Sequence, residues 1–137
     1  MRQPTFSAAC RSVKADACLS ALDGGRLLIF DGPQPPGPDV EPSVQTLLAA
    51  LPLGDPAFNP AVDGIAVARP IAQTPGLASG APAWFRLETA DRRAWIDGTV
   101  GPPGLPEAQR FDLELDGEIE QDGEVRIDRL VYVEAAR

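Results

Sequence analysis

The stretch AWFRLETADRRAWIDGTV (Ala83–Val100) constrains this chain more than any other, because it carries both tryptophans and reads as a hairpin. Side chains alternate faces along a strand. In Trp84–Thr89 that puts Phe85, Leu87 and Thr89 on one side, and Trp84, Arg86 and Glu88 on the other. Ala90-Asp91-Arg92-Arg93 is polar and of hairpin-loop length. On the return strand Ala94, Ile96, Gly98 and Val100 share the apolar face, and Trp95, Asp97 and Thr99 the more polar one. Strict period two therefore puts both tryptophans on the polar face. They form either a second core layer, since large aromatics are mostly buried, or exposed anchors for a partner. A lone hairpin is marginal in water, so the rest of the chain must cover it.

The flanking sequence offers short strands. Ser7–Leu22 predicts a helix capped by Ser7, with Ala8, Ala15, Cys18, Leu19 and Leu22 on one side, stopped at Asp23-Gly24-Gly25. Arg26–Phe30 reads as a strand buried on both sides. Gly32–Pro38 is too proline-rich for helix or sheet and predicts a stiff surface loop ending near Glu41-Pro42. Gln45–Leu53 reads as a strand, Gly54–Pro60 as a loop whose Phe58 returns to the core, Gly64–Ile71 as an edge strand ending near Pro70, and Gln73–Pro82 as a loop. After the loop Gly101–Pro106, the alternating runs Phe111–Asp116 and Glu124–Asp128 predict a solvated antiparallel pair. Leu130–Val133 predicts a last strand. The fold class expected is mainly β: an antiparallel β-sandwich or open β-barrel with one N-terminal α-helix. At 137 residues the expectation is a single domain. It divides into an N-terminal arm (1–6), a helix (7–22) and a β-rich body (26–135).

Composition narrows the chemistry. There is no histidine, which removes the commonest general base, nucleophile partner and metal ligand. A net charge of −8 argues against holding nucleic acid through its phosphates. Cys10 and Cys18 lie roughly 12 Å apart along a helix, too far for a disulfide, and are expected as small apolar residues at least half-buried. No apolar run reaches the length of a membrane span, and the N-terminus lacks the apolar core of a secretion signal. The acidic residues of Asp112–Asp128 read as a solvated face, because a strand spreads alternate carboxylates too far apart to converge on a cation. Gly24-Gly25 and Gly98-x-x-Gly101 lack phosphate-loop spacing. No cofactor or metal is expected, and no enzyme.

In their order, several of these segments resemble a family of small virion-associated structural proteins of tailed bacteriophages and prophages. The segments are the helix Val13–Leu22, LLIFDGPQPPGPD (Leu27–Asp39), TLLAALPLGDPAF (Thr46–Phe58), AWFRLETADRRAWIDGTVG (Ala83–Gly101) and LVYVEA (Leu130–Ala135). The proline-rich Gly101–Pro106 departs from that pattern, where a more polar segment is expected. The resemblance implies a non-enzymatic structural protein of the virion, assembled in the host cytoplasm. It would be a capsid cement or decoration protein docked on the major capsid protein or other virion proteins, with self-association into a homo-oligomer open. The alternatives are a tail, neck or baseplate accessory and a receptor- or carbohydrate-binding module. The residues expected to touch a partner are Trp84, Trp95 and Arg86 on the hairpin, Pro35 and Pro36 in the stiff loop, and Phe6 in the N-terminal arm.

Overall fold

The computed structural model describes residues 3–135. The chain is mainly β with one N-terminal helix, and its principal sheet is mixed and open rather than closed into a barrel. Helix α1 (Ala8–Ser20) starts at Ser7, whose hydroxyl accepts from the Cys10 N–H at 3.1 Å. Ala15 and Leu19 on its inner face, and Leu22 just beyond, are buried. Cys18 is half-buried, but Cys10 is exposed, contrary to expectation, because it faces away from that stripe. The strands are β1 (Arg26–Phe30), β2 (Leu47–Pro52), β3 (Ile65–Val67), β4 (Thr74–Pro75), β5 (Trp84–Glu88), β6 (Ala94–Gly101), β7 (Leu113–Glu114), β8 (Glu124–Val125) and β9 (Arg129–Val133). Seven form one sheet in the order β2-β1-β5-β6-β7-β9-β3, and β4 pairs with β8 in a small second sheet.

The hairpin forms as expected, with Trp84 opposite Thr99, Phe85 opposite Gly98, Arg86 opposite Asp97 and Leu87 opposite Ile96. The register then slips between Leu87 and Glu88, so that Glu88 pairs with Ala94 and Trp95 is the extra residue. A bulge of this kind re-aims the side chains around it. Trp95 leaves the Trp84–Arg86 face, packs against the main core with Ile96, and donates its Nε1–H to the Cys18 carbonyl of α1 at 2.9 Å. The two tryptophans therefore lie on opposite faces of the sheet, not on a shared polar one. Trp84 is 1% exposed.

The main core lies on the Phe85–Leu87 face. Leu27 and Ile29 of β1, Leu48 and Leu51 of β2, Leu113 and Leu130 meet Leu19, Leu22, Ala57 and Phe58 there. Each fully buried side chain of this size is worth about 1.5–3 kcal/mol. Helix α1 is tied down through side-chain acceptors: Asp16 takes the Ala61 N–H, Asp23 the Ala57 N–H and Ser12 the Gly64 N–H. Ile119 and Val125, beside the small sheet, add to the same core.

The late strands differ from expectation. Phe111–Asp116 and Glu124–Asp128 share one backbone bond, from the Asp128 N–H to the Glu114 carbonyl, but form no ladder with each other. Instead β7 runs parallel to β6 and antiparallel to β9, while β8 pairs with β4 inside the segment expected as a loop. The Pro102–Asp112 connection carries the chain back to the start of β6's direction, which turns one pairing parallel. Nor is the acidic run wholly solvated: Glu114 is buried and paired with Arg129 at 3.3 Å.

Gly98 marks a tight cross-strand contact in the hairpin, since a Cβ there would fall 2.4 Å from Phe85 Cζ. Gly98→Ala is expected to lower unfolding stability by about 1–3 kcal/mol through overpacking, and Phe85→Leu in the same chain to recover part of it. Urea unfolding of the two variants checks this.

Candidate functional site

The sheet's second face is built around Arg86. Cross-strand rows place Ala50, Leu28, Arg86 and Asp97 side by side, with Leu47, Phe30, Trp84 and Thr99 in the next row. Arg86 is 4% exposed. Its Nε donates to Asp97 Oδ1 at 2.7 Å and its Nη2 to Asp97 Oδ2 at 3.0 Å. The same Nη2 donates to the carbonyls of Val40 at 2.8 Å and Gly37 at 3.3 Å. These carbonyls belong to the proline-rich segment, which crosses this face as a strap. Proline carbonyls and their neighbours are free to accept because no ladder uses them. Trp84 stacks on Phe30 with ring centroids 4.4 Å apart, lies under the guanidinium, and donates its Nε1–H to the Asp31 carbonyl at 3.1 Å. Asp31 also accepts from the Thr46 N–H, which pins the far end of the strap.

The residues expected to touch a partner are thus mostly committed inside the molecule. Trp84 and Arg86 are buried under the strap, and Trp95 is held by α1. Pro35 is half-buried and Pro36 exposed. Phe6 is half-buried: the Lys14 ammonium sits 3.6 Å from its ring centroid, and its carbonyl accepts from Arg11 at 2.6 Å. The arm is folded onto its own helix over these residues; Met1 and Arg2 lie outside the described residues. Only Pro36 remains an outward-facing member of the set.

A cleft of about 390 Å³ lies between α1 and the Pro56–Pro60 segment. Its carboxylates, Asp16 and Asp23, already accept backbone N–H groups, and Arg69 sits at its edge. Ser20, which also lines it, donates its hydroxyl proton to the Ala17 carbonyl at 2.9 Å. Among the described residues no group of three or more Cys, Asp or Glu side chains is placed to hold a metal ion.

The strap covers β2, β1, β5 and part of β6. The β9–β3 end of the same face carries an aliphatic strip. Ile65 pairs with Val133 and Val67 with Val131, with Val62 bridging to Ile65. Ile65, Val67, Val133 and Val62 are exposed, Val62 and Val133 by 70% and 63%. Their partner positions on the inner face are Ala66 and Tyr132. Sequence reasoning missed the strip because large aliphatics in an alternating run are expected to face inward. The signal was the alanine between them: in Ile65-Ala66-Val67 the small residue takes the core side, where α1 packs against β3.

Comparison with protein-family models, with curated proteins and with solved structures finds no match for this chain. Fold and surface together define a small mainly-β protein in which Arg86 and Asp97 form a buried ion pair under the strap.

Arg86→Met alone is expected to cost about 3–5 kcal/mol, because it leaves Asp97 buried without its partner, whereas the double change R86M/D97L should lie much nearer the parent. Denaturant unfolding of the single and double variants measures both. A second expectation concerns Tyr132, the chain's one tyrosine. Burial, then the bond its hydroxyl donates to Glu134 at 3.0 Å, raise its pKa above the ordinary phenol range. The folded state thus favours the neutral phenol. Its contribution to stability is complete below pH about 10 and is drawn down as pH rises beyond that. Ultraviolet titration should show no phenolate near the ordinary value while the protein stays folded.

Proposed function

We propose that this chain is a non-enzymatic structural protein of a tailed-phage virion, most simply a cement or decoration protein docked on the major capsid protein. The observation that carries the reading is the uncovered aliphatic strip of Val62, Ile65, Val67 and Val133 on an otherwise acidic chain. Contiguous exposed apolar surface on a small domain marks a contact site. A strip of this size is modest beside the roughly 800 Å² per partner of a standard interface. An oligomer of this chain would engage several equivalent sites at once and gain affinity through effective concentration. The order of sequence segments resembling virion proteins supplies the kind of partner. A carbohydrate-binding module would need exposed aromatic rings beside carboxylates, and neither Trp84 nor Trp95 is free to serve.

Quantitative mass spectrometry of purified particles tests this. A copy number of the same order as the major capsid protein supports capsid decoration. A few copies per particle would move the protein to the tail or neck, and its absence would overturn the virion reading. Val62→Glu with Val133→Lys should abolish particle association while changing unfolding stability by no more than about 0.5 kcal/mol per exposed site.

A further inference from the structure

The principal sheet is split. β7 has two residues between the eight of β6 and the five of β9. Its pairing sets the levels: Leu113 lies beside Val100 on one side and Leu130 on the other. Three residues back along the line of β7, the level shared by Asp97 and Val133 should be occupied by residue 110. It is not. Phe111 swings out and lays its ring over Gly101, where a Cβ would fall 2.0 Å from the ring. Arg110 is held instead by the carbonyls of Leu105 and Glu107. The strand line is vacated, and a cavity of about 160 Å³ opens between β6 and β9.

The backbone bordering this gap is oriented for a strand. Val100 donates toward β5, to Ala83, while Thr99 donates the other way, to the Asp112 carboxylate. By alternation Asp97 turns its N–H and C=O into the gap. Across from it, Ala68 bonds to Leu130 and Glu134 to Gly64, which directs those β9 residues toward β3, whereas Val131 donates to Asp112 on the β7 side. Val133 therefore also faces the gap. Two flanking strands separated by a vacant one stand about 9.5 Å apart, twice the strand spacing. The floor is apolar, with Phe58, Phe85, Leu87 and Leu130, and the mouth holds the exposed Asp112, while the Asp97 carboxylate is buried against Arg86.

We propose that this slot accepts an extended segment of a partner protein, inserted as a strand in line with β7, with one aliphatic side chain in the cavity and lysine or arginine on either side. The main chain of an extended peptide meets the needs of Asp97 and Val133 on both flanks at once. A cavity of this size takes one aliphatic side chain. A basic segment complements Asp112 at the mouth and the chain's net charge of −8. The proposal stands apart from the virion reading, since it follows from the sheet alone.

The test is hydrogen exchange by NMR on the full chain, with a short capped peptide of alternating lysine and valine and its backbone N-methylated twin. In the free protein the Asp97 and Val133 amides should exchange about a hundred-fold faster than those of Ile96 and Tyr132 in the same strands. The parent peptide, at millimolar concentration, should slow both, and the N-methylated twin should not. Slow exchange of Asp97 and Val133 in the free protein would overturn the proposal, as would no effect of the parent peptide. Equal effects of the two peptides would mean attraction by charge alone and would also overturn it.

Discussion

A guanidinium buried in the middle of a sheet face must find acceptors on every side, and much of this molecule is arranged to supply them. Arg86 takes two from Asp97 across the hairpin and two from the carbonyls of Gly37 and Val40. Among the described residues no buried side-chain nitrogen or oxygen is left without a partner. The strap is held in place by polar bonds as well as by the apolar cluster of Leu28, Phe30 and Trp84 beneath it. A proline-rich segment suits this task. It loses little conformational entropy on docking, and it offers carbonyls that no neighbouring strand claims.

This arrangement makes the two faces unequal. The Phe85 face is closed by α1, the Ala57–Phe58 segment and the small sheet into one continuous core. The Arg86 face is closed over only part of its width. Where the strap stops, the sheet itself changes, because β7 is too short to separate β6 from β9 along their length. The aliphatic strip and the split lie side by side there, with Val133 common to both. An exposed aliphatic strip and a gap in the sheet thus meet at one end of one face, away from the residues that look most interactive on paper.

Much of the fold was legible because it rests on local signals. Ser7 as a cap, the stripe ending at Leu22, the doubly buried run Leu27–Phe30 and the turn-bounded hairpin depend on neighbours within a few residues. The partner surface was less legible. Strand alternation leaves Trp84 either in a second core layer or exposed as an anchor, because alternation reports only that two faces differ, not what covers each. The strap that covers Trp84 and Arg86 comes from more than forty positions earlier in the chain. Trp95 was misplaced for a different reason. A one-residue bulge inverts the face of what it displaces, and the bulge is fixed by the Trp95 bond to α1, a contact spanning 77 positions.

The sequence by itself determined that this is a mainly-β chain with one capped N-terminal helix and a central tryptophan-bearing hairpin, and that histidine-based chemistry is closed to it. Those conclusions follow from periodicity, capping and residue inventory, which act over a turn or a strand. Only the tertiary structure decided which face of the hairpin is sealed, that β7 joins β6 in parallel, and that Ile65 and Val67 point outward while Ala66 points in. The reason is physical: period two fixes which side chains share a face, but the choice between core and solvent is made by whatever distant segment packs there. For this chain those segments are the proline-rich strap, α1 and Phe58.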